Sequence, residues 1–430
     1  MSNTKWIGGG LLGAAVVVGV ASWGLLSYRL QRLASEEQAI LEGLERDGFS
    51  LDPSVLHPQP SGENGAPEFE ALVAELEPLD DAFHAVRALS KRFTRPVKFA
   101  AEHSEAQRAE LVAGAERFSS VPADFEARLD VALAKPWTFP PDYTLPYLRG
   151  VMDLGALALV RVGTHLDRGD SQATWDAIER ALRFTATLPQ DYNTPYLVRG
   201  ELFRGVVEAM SAALGQGLMP TPERVERLRA AFKGFVDPAG VTRALRGDLT
   251  WVLDLLPQDA EGLQRYRAEV DPKAPGLQTL VPARARVVRL MDRAIRASTL
   301  PPLEALAALR AIDAEKQPAD DQRREDVVGV LVSPGTDLYE THLAQVARVH
   351  LIEAAFSLAA QGGELPETLE LPADPFAADA PLRWRRDAPR RGVLWSVGPD
   401  GEDDQAARPD VGAQPDPALD DLIVDVRLPE

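Results

Sequence analysis

The sequence predicts a mainly α-helical fold with an N-terminal transmembrane helix, a stacked helical-hairpin (repeat-like) body and a small C-terminal antiparallel β-hairpin element. Three observations predict this fold. Residues 6–28 carry no charge, residues 68–361 show helical spacing of apolar positions, and residues 382–398 alternate as strands do. The chain has 430 residues, of which 45% are apolar, so it supports a sizeable buried core.

Composition excludes several classes of function. The 46 basic and 65 acidic residues give a formal charge of −19. Because so acidic a surface repels phosphate backbones, we expect no nucleic acid partner. The sequence contains no cysteine, which excludes disulfides, thiolate metal sites and cysteine nucleophiles.

The N-terminal segment predicts attachment to a membrane. After a tail of residues 1–5, the uncharged run of residues 6–28 is 23 residues long. As a helix it would measure about 34 Å, enough to cross a hydrocarbon core of about 30 Å. A cleaved signal peptide is the alternative, because residues 19–21 (Gly-Val-Ala) offer a small-residue cleavage site.

We favour an uncleaved signal-anchor, because the apolar run continues through Leu25 and Leu26, beyond the usual length of a signal peptide's apolar region. We therefore expect a single-pass protein of the cell inner membrane with the bulk of the chain periplasmic or otherwise extracytoplasmic. Lys5 opposes Arg29 and Arg32 across the span, so positive charge discriminates little between the two orientations.

Gly8, Gly10 and Gly13 have the spacing G-x-G-x-x-G of dinucleotide-binding loops. Such a loop follows a full strand and opens a βαβ unit, whereas only Trp6 and Ile7 of the apolar run precede these glycines. We therefore expect no nucleotide partner. The glycines fit a helix-pairing face in the membrane equally well.

Beyond the apolar run, the sequence predicts four further segments. Residues 29–46 form a juxtamembrane helix, residues 47–67 a Pro- and Gly-rich linker, residues 68–361 an α-helical domain and residues 362–430 a small β element with an acidic loop. In the helical domain, residues 151–166 are apolar almost all round, which predicts a buried helix.

An internal repeat indicates stacked helical hairpins. Residues 142–150 (DYTLPYLRG) match residues 191–200 (DYNTPYLVRG), and a pair of helices follows each copy. The predicted caps of the second helices are Ser171 in one copy and Thr221, followed by Pro222, in the other. The spacing of 49 to 50 residues differs from the 34-residue tetratricopeptide period, so the chain resembles a helical repeat of no named class.

The repeat places four tyrosines beside the helix starts: Tyr143, Tyr147, Tyr192 and Tyr196. One interpretation is an aromatic ridge that binds a protein or peptide partner. The other, which we favour, is that the prolines and tyrosines shape the turns and pack against the helix starts.

A polar connection is predicted between Pro257 and Pro282, and a basic helix follows it. Five arginines fall mostly along one side of that helix: Arg284, Arg286, Arg289, Arg293 and Arg296. Such a run holds either an acidic partner or the chain's own carboxylates, and we favour the second interpretation.

In the C-terminal segment, residues 382–386 and 392–398 predict two paired strands. Two short motifs accompany them. Asp-Pro-Phe at residues 374–376 precedes the first strand, and Ser-x-Gly-x-Asp-Gly at residues 396–401 ends the second.

In this order after a long helix, the motifs resemble the C-terminal part of type II secretion major pseudopilins, over roughly residues 337–426. The whole chain looks like poorly characterised membrane-anchored helical bacterial proteins with the same ending. The resemblance implies a calcium ion in the acidic loop. Carried over by position, the implied ligands are Asp400, Asp403, Asp404, Asp420 and Asp421. The alternative is an acidic loop left in solvent or facing nearby arginines.

The sequence contains no G-x-S-x-G, S-x-x-K, P-loop or H-E-x-x-H motif. We therefore expect a non-catalytic, membrane-anchored binding or scaffold protein associated with an envelope or secretion assembly. A helical, hydrolase-like envelope enzyme with an unrecognised active site is the alternative. A pocket that clusters titratable groups with shifted pKa values would favour the enzyme, and an exposed groove would favour the binding protein.

Overall fold

The computed structural model describes residues 27–52, 63–76, 124–135, 145–269, 272–316, 335–378, 380–406 and 422–429. Within these ranges the chain forms twelve α-helices and one three-stranded antiparallel sheet, which confirms the mainly α-helical class. The transmembrane helix predicted over residues 6–28 lies outside the described residues, except for its last two positions.

The helices are numbered in chain order. They are α1 (residues 27–46), α2 (Ala66–Leu76), α3 (Phe125–Leu133), α4 (Leu145–Asp167), α5 (Ser171–Thr187), α6 (Asn193–Gly215), α7 (Pro222–Phe232), α8 (Ala239–Leu255), α9 (Ala260–Glu269), α10 (Leu277–Ala297), α11 (Pro302–Lys316) and α12 (Gly335–Gln361). The strands are β1 (Arg383–Ala388), β2 (Arg391–Ser396) and β3 (Leu422–Arg427).

The chain divides into two compact units. Unit 1 comprises Met1–Leu56, Leu245–Ala297 and Ala308–Gly335, and unit 2 comprises His57–Ala244, Ser298–Ala307 and Thr336–Glu430. Each unit therefore brings together stretches that are far apart in the sequence.

Unit 1 contains a helix where the sequence predicted only a polar connection. Helix α9 occupies Ala260–Glu269, and α10 already begins at Leu277, with Pro282 inside it. The start signal of α9 is Asp259, whose carboxylate accepts the backbone N–H of Gly262 at 2.8 Å. The polar composition of this stretch hid the helix, because α9 has few apolar residues to reveal a period.

In unit 2, α4 is the buried helix that the apolar run of residues 151–166 predicted. The buried side chains of this helix include Val151, Leu154, Leu157, Val160, Val162 and Leu166. Four of them, Val151, Leu154, Leu157 and Val160, pack in one core with residues from α2, α3 and α5. Burial of this many aliphatic side chains is the main favourable contribution to the stability of the unit.

Helices α4 and α6 approach closely at two glycines. A Cβ built on Gly155 of α4 would lie 2.4 Å from a methyl carbon of Leu202, and one built on Gly205 of α6 would lie 2.6 Å from a methyl carbon of Leu159. Each glycine therefore receives a leucine of the opposite helix, and no larger residue fits without a shift of that leucine.

The structure corrects one predicted cap and confirms the other. Helix α5 is capped by Asp170, whose carboxylate accepts the N–H of Ala173 at 3.0 Å, so Ser171 is its first helical residue. Thr221 caps α7 as predicted, with its hydroxyl accepting the N–H of Arg224 at 3.3 Å.

Helix α12 is long and apolar enough to cross a membrane, and it is the one helix of the described residues that meets both conditions. However, 56% of its most apolar stretch is buried within the protein. The Phe356 ring lies 6.1 Å from that of Trp175 of α5, between centroids, so α12 packs as a core helix of unit 2.

The predicted β-hairpin is part of a larger sheet. Strand β2 pairs with β1 on one side and with β3 on the other, in the order β1-β2-β3 and antiparallel throughout. The alternating burial of β3 marks it as a strand, with Leu422, Val424 and Val426 inward. The pairing of β3 with β2 was not predicted, because the acidic loop separates the two strands in the sequence.

Candidate functional site

The basic side of α10 is matched by carboxylates of unit 1. In α1, Glu36 and Glu37 pair with Arg289 and Arg284, at N–O distances of 3.4 and 2.9 Å. Asp47, just after α1, lies 2.5 Å from a guanidinium nitrogen of Arg296. These pairs confirm the prediction that the arginines of α10 bind the chain's own acidic residues.

The Glu37–Arg284 pair is buried, with each side chain only 5% exposed. Gln258 donates a second hydrogen bond to the Glu37 carboxylate, at 2.9 Å. Arg284 also donates to the backbone carbonyls of Leu253 and Leu256, at the end of α8. Removing two charges from water is costly unless their hydrogen-bonding groups are satisfied, and here α1, α8 and α10 together supply the partners.

A second polar cluster is enclosed within unit 2. The Tyr196 hydroxyl of α6 lies 3.2 Å from Nδ1 of His342 in α12, and both side chains are buried. Burial lowers the pKa of His342 to about 4, although the charge of Asp237 acts in the opposite direction. Burial also raises the pKa of Tyr196. Both groups are therefore neutral at pH 7.

Arg199 lies one turn along α6 from Tyr196. Its guanidinium lies 3.9 Å from the centroid of the Phe235 ring and donates to the Gly234 carbonyl at 3.1 Å. Burial lowers the pKa of Arg199 to about 10, so it remains charged at pH 7. The aromatic face and the carbonyl thus hold a buried cation at the turn between α7 and α8.

The four predicted tyrosines have different places. Tyr196 is buried and contacts His342, so its ring belongs to the interior of unit 2. Tyr192 is half-buried and immediately precedes α6. Tyr143 lies outside the described residues, as does the side chain of Tyr147, so the aromatic ridge stays a prediction there.

Among the predicted calcium ligands, Asp403 is held by the sheet. Its carboxylate accepts the indole N–H of Trp395 at 3.0 Å and lies 3.3 Å from Nε of Arg383. Asp400 accepts the backbone N–H of Glu402 at 3.0 Å and shapes the turn.

Asp404 is exposed, and Asp420 and Asp421 lie outside the described residues. In the part of the chain that the structure describes, no group of three His, Asp or Glu side chains is arranged to hold a metal ion. Calcium binding by the complete loop stays a prediction.

The two motifs that carry the pseudopilin resemblance meet in space. The buried Asp374 carboxylate accepts the Ser396 hydroxyl at 2.8 Å, the backbone N–H of Val397 at 3.0 Å and that of Phe376 at 3.1 Å. Asp374 therefore fixes the segment before β1 to the end of β2. A buried carboxylate with three donors is a structural group. Contact between these two motifs was not predictable from the sequence.

A cleft of about 710 Å³ opens in unit 2 where the end of α6 meets the sheet. Its lining residues are Ala212, Gly215, Gln216, Ala388, Pro389, Arg390, Arg391, Asp425, Val426, Arg427 and Leu428. It shares no lining residue with the enclosed Tyr196–His342 pair. The cleft was not predictable from the sequence, because only the pairing of β3 with β2 brings Arg427 beside Arg390 and Arg391.

The chain shows no significant match to a protein-family model, a curated protein or a solved structure.

Proposed function

We propose that this protein is a non-catalytic, membrane-anchored helical scaffold that binds a protein or peptide partner outside the cytoplasm. The observation that carries the proposal is the fixation of α1 on α10. Residues 6–28 are the proposed single span of the inner membrane, and α1 includes the last two of them. The ion pairs would then connect the span to unit 1 without a flexible joint.

The arrangement of charges supports the proposed rigid connection of α1 to unit 1. Solvent-exposed ion pairs contribute little to stability, so a helix that served only as a spacer would carry its charges at the surface. Glu37 is instead buried against Arg284, and Glu36 and Asp47 pair with the same helix further along. Two contacts from α1 and one from the residue that follows it favour a rigid connection over a tether.

The finer architecture we propose is a stack of helical hairpins. The α4–α5 and α6–α7 pairs begin at the two copies of the sequence repeat. Gly155 and Gly205, which occupy equivalent positions 50 residues apart, each receive a leucine of the other helix. This correspondence favours two related hairpins.

A non-catalytic role is favoured by the position of the titratable groups. Tyr196 and His342, the pair with strongly shifted pKa values, are enclosed, whereas the open cleft is lined by three arginines, Asp425, Gln216 and small or apolar residues. Association with a secretion assembly rests on the resemblance of residues 337–426 to major pseudopilins. The two motifs that carry this resemblance are joined by the hydrogen bond from Ser396 to Asp374.

The test is membrane fractionation of the full chain expressed in a Gram-negative host. We expect it to pellet with membranes, to resist extraction at alkaline pH and to dissolve in detergent, whereas a variant lacking residues 6–28 is soluble. A reporter fused to the C-terminus should report the periplasm. Recovery of the full chain in the soluble fraction, or a cytoplasmic reporter, would overturn the proposal.

A further inference from the structure

Helices α1 and α10 of unit 1 run in the same direction. Glu37 pairs with Arg284 in the first half of both helices. Asp47, just after α1, pairs with Arg296, near the end of α10. The first residue of α10 is Leu277, so this helix begins seven positions before Arg284. The start of α10 therefore lies beside the first turns of α1, close to where the proposed span ends.

Helix α9 extends toward the same end of unit 1. Just before this helix, Gln258 donates to the Glu37 carboxylate at 2.9 Å. Near its end, Arg267 donates to the Ala274 carbonyl at 2.8 Å, three positions before α10 begins. Helix α9 therefore runs from the level of Glu37 to the level at which α10 begins.

This end of unit 1, here called the basal end, is formed by residues 27–33, 265–269 and 272–277. With the two residues between 269 and 272 included, these segments carry five basic and two acidic residues, whereas the whole chain has 46 basic and 65 acidic residues. The basal end is therefore richer in positive charge than the rest of the chain.

Three arginines of the basal end are open to solvent. Arg29 is exposed, and the Arg32 and Arg265 side chains are 69% and 66% exposed. Arg32 and Arg265 each pair with a glutamate one turn away on the same helix. Such exposed pairs contribute little to stability, so these guanidinium groups remain accessible to a further anionic group.

The depth of the basal end follows from helix lengths. Glu37 follows Tyr28 by nine positions, or about 13 Å of helix. Arg284, its partner, follows Leu277 by seven positions, or about 10 Å. If residues 6–28 span the membrane, Leu277 stands about 3 Å beyond the level of Tyr28. The headgroup layer is about 6 Å thick on each side of the hydrocarbon core, so the connection between α9 and α10 would lie within it.

Three further features fit a headgroup layer. Tyr28 is 67% exposed, and tyrosine favours the boundary between hydrocarbon and water. Helix α10 begins at the basal end, so the positive end of its dipole lies there. The polar composition of α9, which shows no clear apolar period, suits a helix solvated by headgroups and water.

We propose that the basal end of unit 1 lies in the headgroup layer of the membrane and binds the phosphates of anionic phospholipids through Arg29, Arg32 and Arg265. Arginine suits this role because its planar guanidinium forms paired hydrogen bonds with phosphate. The inference goes beyond the proposed function, and it rests on that function for the span of residues 6–28.

The experiment uses single fluorescent labels, because a chain without cysteine can carry one cysteine at a chosen position. The variants are Gln31→Cys and Ala39→Cys in α1 and Ala268→Cys in α9, all at exposed positions. Each full chain is labelled with bimane and placed in phosphatidylcholine nanodiscs that contain phosphatidylcholine with a nitroxide on the fifth acyl carbon. We expect the labels at residues 31 and 268 to be quenched about threefold more than the label at residue 39, which lies further from the span.

The lipid charge is tested by moving the nitroxide to phosphatidylglycerol at the same mole fraction. We expect the label at residue 268 to be quenched about twofold more by this lipid, with a preference that weakens as salt is raised. Arg29→Gln/Arg265→Gln should abolish the preference. The matched control is Arg46→Gln, an exposed arginine at the far end of α1, which should keep it.

Quenching at residue 31 without quenching at residue 268 would overturn the inference and leave the proposed span in place. A label at residue 31 quenched no more than the one at residue 39 would overturn the span, and the inference with it. Equal quenching by the two lipids, or loss of the preference in Arg46→Gln as well, would overturn the binding of anionic lipid. All labelled positions are exposed, so the thermal midpoints of the variants should match that of the wild type.

Discussion

The Glu37 carboxylate of α1 and the Arg284 guanidinium of α10 form a buried ion pair at 2.9 Å, although the two residues are 247 positions apart in the chain. This pair joins α1 to α10 at the part of the protein that follows the predicted span. The segment predicted as a juxtamembrane helix is therefore part of unit 1.

Glu37→Ala should destabilise unit 1 by about 3 kcal/mol, because it leaves the Arg284 charge buried without its partner. Thermal unfolding of the full chain in detergent micelles measures the loss. Glu42→Ala is the matched control, since Glu42 is exposed on the same helix and accepts a hydrogen bond from Gln38, one turn away. It should change stability by less than about 0.5 kcal/mol. Equal effects of the two variants would show that the buried pair does not hold α1.

Asp374→Ala should destabilise the C-terminal sheet by about 3 kcal/mol, because the Ser396 hydroxyl and two backbone N–H groups lose their acceptor. Hydrogen exchange of the β2 and β3 amides follows unfolding of the sheet. The control is Asp387→Ala, which removes a surface pair with Arg385. An Asp374→Ala protein as stable as this control would contradict the structural role of Asp374.

The buried His342 predicts a dependence of stability on pH. Its folded pKa of about 4 lies below the ordinary value of 6.5, so the unfolded chain binds the proton more tightly. This contribution is complete above pH 6.5 and is lost as the pH falls toward 4, by about 3 kcal/mol. His342→Gln should flatten the unfolding free energy over that window. The same slope in wild type and variant would assign the dependence to other groups.

Gly205→Ala should destabilise unit 2 by about 1–3 kcal/mol, because the new methyl group meets Leu159 across the α4–α6 contact. Gly163→Ala in α4 is the control, since a Cβ there has no neighbour within 4 Å. Alanine favours the helix over glycine, so this control should be neutral or more stable by up to about 1 kcal/mol. Denaturant unfolding of both variants decides the matter, and a loss in Gly163→Ala as large as in Gly205→Ala would contradict the close contact.

Features that depend on short stretches of sequence were predictable. The buried stripe of α4 and the Thr221 cap follow from residues within a few turns of one another, and helical period and cap chemistry act over that range. The pairing of the α10 arginines with carboxylates was also predictable, because an acidic chain offers many partners. The particular carboxylate that pairs with each arginine was not predictable.

Features that depend on distant pairing were not predictable from one sequence. Arg427 faces Arg391 only because β3 adds to β2 across the acidic loop, and Asp374 reaches Ser396 only when the sheet is formed. Helix α9 was missed for a different reason: its polar residues give no clear period, and its Asp259 cap is a weak signal alone.

The most direct test of the account is hydrogen exchange of the α1 amides, residues 30–46, in the full chain in detergent micelles. The structure predicts that these amides are protected to the level of α10, and that Glu37→Ala lowers protection in α1 more than in unit 2. Exchange of α1 at the rate of an unstructured peptide, with α10 still protected, would contradict the rigid connection between the proposed anchor and unit 1.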